Sequence, residues 1–194
     1  MTIKVNSQIT DDVIKGCLKS DKKSQRQLYD MFAPLMLSVC RRYISDFDTA
    51  QDVMIRAFMV VFDKLGQFRH EGSFEGWVRR IMVYESLSWL RKNKSMYLEV
   101  DIETADQEID FEAISSELNA EDLMSLIHDL PSGYRTVFNL YAIEGYSHAE
   151  IAGQLGINVN TSKSQLSRAR ALLQRKLADL EKTARPKTIE NGNQ

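Results

Sequence analysis

Turn-making residues are scarce in this chain: nine glycines and three prolines among 194 residues, about half the usual share. A β-sandwich or barrel reverses direction every ~10 residues, and too few residues here permit it. Long helices need no such punctuation. With 43% apolar residues, the chain also has enough hydrophobic surface to fold rather than stay disordered. The expected class is all-α.

Charge divides the chain. Residues 96–120 hold eight acids (Glu99, Asp101, Glu103, Asp106, Glu108, Asp110, Glu112 and Glu117) and no Lys or Arg. Elsewhere 25 basic residues stand against 19 acidic ones, a balance of +6 hidden inside a total of −2. A near-neutral total therefore leaves a nucleic-acid partner open. The acidic stretch carries scattered Ile102, Ile109, Phe111 and Ile114 without a sustained helical stripe. It reads as a flexible linker with a helical piece near its end. The expected division is a helical domain over 1–95, the linker over 96–118, a second helical domain over 119–181 and a fraying polar tail over 182–194.

Helix signals fill both domains. In the first, Thr10 is placed to cap a short helix carrying Val13, Ile14, Cys17 and Leu18, and Asp21 opens another that Pro34 interrupts or kinks. Asp48 is placed to cap a third, carrying Val53, Ala57, Val60, Val61 and Leu65 and stopping at Gly66. Ser73 is placed to cap a long helix to about Lys92, with Trp77, Ile81, Tyr84 and Leu87 at helical spacing. In the second domain Leu123, Met124, Ile127 and Leu130 form one stripe, ended by Pro131. Tyr134, Val137, Phe138 and Tyr141 form the next, ended near Gly145.

The strongest pattern spans 147–170. Ser147-His148-Ala149-Glu150 is a capping box. Ile151, Ala152 and Leu155 follow, and Gly156 can end the helix in the left-handed conformation. A new stripe then runs Val159, Leu166, Ala169, Leu173 and Leu177. A short capped helix, a turn beginning with Gly and a longer basic helix make a helix-turn-helix. The second helix begins with Asn160, Thr161, Ser162, Lys163 and Ser164, short polar groups suited to base edges and phosphates. From 161 to 180, five basic residues (Lys163, Arg168, Arg170, Arg175 and Lys176) face one acid, Asp179. Charge alone would fit a solvated helix face; joined to the capping box and Gly156, it points to DNA.

A second pattern spans 68–94. Arg69, Arg79, Arg80, Arg91, Lys92 and Lys94 interleave with Phe68, Phe74, Trp77, Tyr84 and Trp89. Aromatic rings stack on unpaired bases while cations follow the backbone, so the mixture suits single-stranded nucleic acid. Core packing is the competing role for Trp77, and plain solvation for Arg79 and Arg80. The loop 69–74 between two helices could hold an extruded base.

Catalysis finds no support. His70, His128 and His148 lie in different elements, and no His-x-x-x-His, Cys-x-x-Cys or phosphate-binding glycine loop occurs. Neither cofactor nor metal is expected. Cys17 and Cys40 fit thiols of a reducing cytosol. The N-terminus lacks a basic stretch ahead of an apolar core, and no apolar run approaches ~18 residues. A cytoplasmic protein without membrane insertion is expected.

Three stretches in order resemble the extracytoplasmic-function branch of bacterial RNA polymerase sigma factors, over roughly residues 10–180. Asp48-Thr49-Ala50-Gln51-Asp52-Val53 resembles the polymerase-binding helix. Gly72-Ser73-Phe74-Glu75-Gly76-Trp77-Val78-Arg79-Arg80-Ile81 resembles the promoter-melting, minus-10-reading segment. Leu130-Pro131-Ser132-Gly133-Tyr134-Arg135-Thr136-Val137-Phe138 with 147–170 resembles the minus-35-binding domain, where Thr161-Ser162-Lys163-Ser164-Gln165-Leu166-Ser167-Arg168-Ala169-Arg170 is close to the family's Thr-Val-Lys-Ser-Arg-Leu-Ser-Arg-Ala-Arg.

The resemblance implies a non-enzymatic subunit that directs core RNA polymerase to promoter DNA, with an anti-sigma factor as a further candidate partner. A stand-alone helix-turn-helix regulator is the alternative, and a protein-binding adaptor is a more distant one. The resemblance assigns Asn160, Lys163 and Ser164 to minus-35 bases and Thr161, Arg168 and Arg170 to phosphates. It assigns Arg69, Ser73, Phe74 and Trp77 to the minus-10 pocket, with Arg79 and Arg80 on the backbone. Asp48, Asp52 and Val53 fall at the interface with the clamp helices of the polymerase β′ subunit, Val53 fitting the core equally well. Two departures stand out. The Gln-Glu pair that members carry in the polymerase-binding helix is Ile55-Arg56 here, which reverses one local charge. Ser162 stands where a buried Val or Ile is usual and is expected to loosen the helix pair.

Overall fold

The computed structural model describes residues 7–93 and 120–184, with side chains described over 11–93 and 124–180. The acidic linker, the helical piece expected near its end, Lys94, the side chain of Leu123 and most of the tail lie outside them. No strand occurs among the described residues, as the shortage of turn residues requires. The chain divides into two compact units, within 1–96 and 97–194.

The first unit is built from α1 (Ser7–Leu18), α2 (Lys22–Tyr43), α3 (Phe47–Lys64) and α4 (Phe74–Lys92). Three of these starts are set by a side chain that accepts from an otherwise unpaired amide. Asp21 accepts from Ser24 N at 2.9 Å, Asp46 from Thr49 N at 2.9 Å and Ser73 from Gly76 N at 3.0 Å. The first and third were legible in sequence; the second corrects the expectation for Asp48, which lies in the first turn of α3. There its charge still favours the positive end of the helix dipole. Asp46→Ala is therefore expected to lower the melting temperature by a few degrees, and Asp48→Ala by less. Bonds from Thr49 hold the Asp46 carboxyl below its ordinary range. The difference between the two variants should accordingly be full above about pH 4 and fade as pH falls through the lowered value.

Four further expectations change. α1 begins at Ser7, which puts Thr10 inside the helix. α2 runs unbroken through Pro34. Pro34 lies exposed, so water can reach the carbonyl that its missing N–H leaves unpaired. Past α3, a 3₁₀ turn (Leu65–Gln67) carries the path beyond Gly66. On α4 the buried line is Phe74, Val78, Met82, Val83, Ser86, Leu87 and Leu90. Tyr84 is 61% exposed, not part of the expected stripe, and carries the Arg91 guanidinium over its ring at 5.9 Å.

The core of this unit sits where α2, α3 and α4 meet. Leu28, Met36, Val39, Tyr43, Phe58, Val61, Val78 and Met82 are buried there. α1 packs on α2 across Gly16, where any side chain would collide with the Ser24 hydroxyl. Cys17 and Cys40 are free and buried, and burial pushes the Cys40 thiol up to about 11, so it stays protonated and inert.

The second unit contains α5 (Ala120–His128), α6 (Ser132–Phe138) continued by a π-helical turn (Asn139–Ile143), α7 (His148–Leu155) and α8 (Val159–Ala184). α8 reaches three residues into the expected tail. Its core joins Ile127, Leu130, Val137, Phe138 and Leu140 to Ile151, Leu155, Leu166, Ala169 and Leu173. The guanidinium of Arg135, itself buried, donates to the His128 carbonyl at 2.7 Å and so closes the end of α5. The π-helical turn widens the helix. Leu140 thereby takes the buried place expected of Tyr141, which is 37% exposed. Val159 is likewise exposed, at the very start of α8. No helix among the described residues is long and apolar enough to cross a membrane.

Candidate nucleic-acid interface

Two separate surfaces carry the residues singled out in the sequence. On the first unit, the loop from α3 to α4 turns back through His70 (φ 57°) and Gly72 (φ 107°). Glycine adopts the latter without strain. The loop walls a cavity of about 260 Å³ lined by Gln67, Phe68, Arg69, Glu71, Gly72, Ser73, Gly76, Trp77 and Arg80. That is slightly smaller than a drug-sized pocket and suits one flat ring system.

Its floor is aromatic and continuous with the core. Buried Phe74 meets Phe32 edge-on at 5.6 Å and Phe68 at 5.2 Å, and stacks with Trp77 at 5.7 Å. Phe68 and Trp77 lie 5.6 Å apart and are only half-buried. The cluster therefore has a dry end, Phe32 and Phe74, and a wet end, Phe68 and Trp77. Arg69 and Arg80 are exposed beside it, and neither has an ion-pair partner among the described residues.

Of the six residues assigned to this site, Arg69, Ser73, Trp77 and Arg80 line the cavity. Phe74 and Arg79 do not. Phe74 is 8% exposed and supports the floor from beneath, while Arg79 points into a half-buried setting with partners of its own. Sequence reasoning missed Gln67 and Gly76 as lining residues. Gly76 is brought beside Ser73 by the cap, its N–H donating to the Ser73 hydroxyl at 3.0 Å.

On α3, Asp48 and Asp52 are exposed and one turn apart. Arg56 continues the line and donates to the Asp52 carbonyl at 3.3 Å. Ile55 and Met59 are 42% and 66% exposed. Val53, which fitted two roles, is 2% exposed and belongs to the core. The outward strip of α3 is thus acidic at its start and apolar with one base further on.

On the second unit, the helix-turn-helix forms as its sequence predicts. Ser147 and Glu150 cap one another, Glu150 accepting from Ser147 N at 2.8 Å and Ser147 Oγ from Glu150 N at 3.3 Å. Gly156 sits at φ 68°. Asn158 accepts from Asn160 N at 2.8 Å at the start of α8. Asn160 and Lys163 are exposed, and Thr161, Ser164, Arg168 and Arg170 half-buried. Ser164 Oγ donates to the Thr161 carbonyl at 3.0 Å, so its lone pairs remain to accept. The Nε atoms of Arg168 and Arg170 are buried without a hydrogen-bond partner, and neither side chain has an ion pair among the described residues.

The expected loosening at Ser162 is corrected. Its side chain is fully buried, and its Oγ lies 2.9 Å from Nδ1 of His148 on α7. A polar pair replaces the apolar pin. Burial, Lys163 and Arg170 lower the His148 pKa. A neutral imidazole is thus preferred in the folded state, and its contribution to stability is complete above about pH 6.5 and lost as pH falls through the lowered value.

Comparison with known proteins gives the family. Residues 28–96 match the model of sigma-70 region 2 and residues 120–173 that of sigma-70 region 4, together well over half of the chain. The chain is 28% identical to the ECF RNA polymerase sigma-E factor of Haemophilus influenzae, over 89% of this chain and 98% of that protein. It is 27% identical to the ECF RNA polymerase sigma factor SigW of Bacillus subtilis, over 86% and 96%. This chain belongs to the ECF branch of the sigma-70 family. As a sigma factor it is a non-enzymatic subunit that directs RNA polymerase in transcription initiation. The solved structure of the sigma factor RpoE in complex with the anti-sigma factor NepR from Bartonella quintana is 23% identical, with a TM-score of 0.48 over 79% of this chain and 96% of that one. Among the described residues of this sigma factor, no group of three or more His, Cys, Asp and Glu could hold a metal ion.

Proposed function

We propose that the sigma factor divides its work by segment. Residues 1–95 dock on the polymerase clamp through Asp48 and Asp52 and capture an unstacked minus-10 base in the loop cavity. Residues 119–181 read minus-35 duplex. The acidic linker over 96–118 competes with DNA for basic surfaces or threads a basic channel of the polymerase. The observation that carries this reading is the loop cavity: an aromatic floor anchored in the core, with two arginines beside it and no acid paired to either. Such a site offers stacking to a base and charge to the backbone on either side of it.

At the other surface, Asn160, Lys163 and Ser164 lie where base edges pass, and Thr161, Arg168 and Arg170 where phosphates do. Each contact is weak alone. Two weak contacts on one chain become strong only when a larger partner fixes their spacing, so the free protein should bind promoters poorly. Core polymerase works in the cytoplasm, and so does its sigma factor. An anti-sigma factor is a further partner of the same surfaces.

Titration of holoenzyme on promoter DNA tests the assignments at α8. Asn160→Ala should cost about 1–3 kcal/mol at one base pair and relax preference there. Arg168→Ala should weaken all sequences alike and reduce the slope of log affinity against log salt by about 1. Uniform loss from Asn160→Ala, or an unchanged slope for Arg168→Ala, would overturn the respective role.

A further inference from the structure

One imidazole joins three segments of the second unit. His148, the first residue of α7, lies on the Tyr141 ring of the π-helical turn, with centroids 4.7 Å apart and planes at 23°. Its Nδ1 meets the buried Ser162 hydroxyl of α8 at 2.9 Å. The guanidinium of Arg170, two turns further along α8, sits 5.8 Å over the same Tyr141 ring. His148 and Arg170 thus both lie against the Tyr141 ring. Nothing in a helix-turn-helix pattern requires this arrangement, and the apolar residue usual at 162 could not supply its hydrogen bond.

The Tyr141 ring does for Arg170 what no ion pair among the described residues does. Its Nε is buried and without a hydrogen-bond partner, so the Tyr141 face is the group that places its head. An arginine ordered before binding loses less freedom when it meets a phosphate. His148 in turn fixes Tyr141, which is otherwise exposed at the surface, and is itself fixed by Ser162. Either tautomer of a neutral imidazole serves, because a hydroxyl both donates and accepts.

We infer that His148 is a positioning residue for DNA binding: held by Ser162, it sets the place of Tyr141 and, through that ring, of Arg170. The inference rests on the proposed phosphate contact of Arg170. The lowered pKa of His148 agrees with the arrangement, since burial and then Lys163 and Arg170 depress it.

A double-mutant cycle in the holoenzyme tests it, on a labelled promoter duplex, because the proposed minus-35 contacts become strong only when the polymerase fixes their spacing. Arg170→Ala should weaken binding and reduce the salt slope by about 1. His148→Ala should reproduce most of that loss, including the reduced slope. In an Arg170→Ala background it should change affinity by less than about twofold. His148→Phe, which keeps a ring against Tyr141, should recover most of the affinity. Circular dichroism and melting of each variant show that α7 and α8 remain folded. Additive losses, or a failure of His148→Phe to recover affinity beyond His148→Ala, would overturn the positioning role while leaving the Arg170 contact in place. An unchanged slope for Arg170→Ala itself would overturn both.

Discussion

Replacing Trp77 and Arg80 together by alanine should lower open-complex formation by about 10²-fold or more, while binding to core polymerase is unchanged. Trp77 forms the wet end of the aromatic floor, and a lost base stack is worth about 1–3 kcal/mol. Arg80 stands exposed at the rim of the cavity, and a charged hydrogen bond to phosphate adds about 1.5–3 kcal/mol. The sum is about 2.5–6 kcal/mol, and at about 1.4 kcal/mol for each factor of ten in rate even its lower end is close to two such factors. Trp77 also touches Phe68 and Phe74, so Trp77→Phe is the control: it keeps a stacking face and should retain most of the activity. Permanganate reactivity of unpaired thymines reads the effect directly. The exposed strip on α3, proposed to face the polymerase, is untouched by either change. A double variant that opens promoters normally would remove the cavity from the mechanism.

Phe138→Ala should cost the second unit about 3–5 kcal/mol, the usual loss for a phenylalanine buried in a core. Phe138 has no exposed surface and lies at the junction of α6 and the π-helical turn, beneath the helix-turn-helix. Small domains are stable by only about 5–15 kcal/mol, and one of this size falls near the lower end. Hydrogen exchange should therefore show lost protection across α6, α7 and α8, and minus-35 recognition should fail with it. Slow exchange in those helices would mean that the core is organised about other residues.

Local chemistry was the legible part of the sequence. A cap needs one short polar side chain and a free amide three residues on, so Asp21, Ser73 and the Ser147–Glu150 pair could be read directly. Gly156 could be read too, since the left-handed turn it makes excludes most other residues. Asp48 reads as a cap because it precedes an apolar stripe, and only the fold shows the Thr49 amide bonded to Asp46, two residues earlier. Periodicity failed where its period did. α4 is apolar on several sides, so more than one stripe fits it, and Tyr84 fell on the wrong one. The π-helical turn shifts the phase after Phe138, which exchanged Leu140 for Tyr141. At the sites, the identity of the pocket residues was legible as a mixture of aromatic and basic side chains, but depth was not: Phe74 and Trp77 look alike in a sequence, and only packing makes one the support and the other the surface. The His148–Ser162 pair lies 14 residues apart and joins two helices. Seen from sequence, its serine was a defect; in the fold its hydroxyl is half of a bond.

Strand separation measures the central claim most directly. The purified chain, mixed with core RNA polymerase and a template carrying a fluorescent base analogue at minus-10, should produce a rise in fluorescence as the duplex opens. Neither the chain alone nor core polymerase alone should do so. If the mixture leaves every template tested fully paired at all salt concentrations, two helical units do not select a start site together, and the account is contradicted.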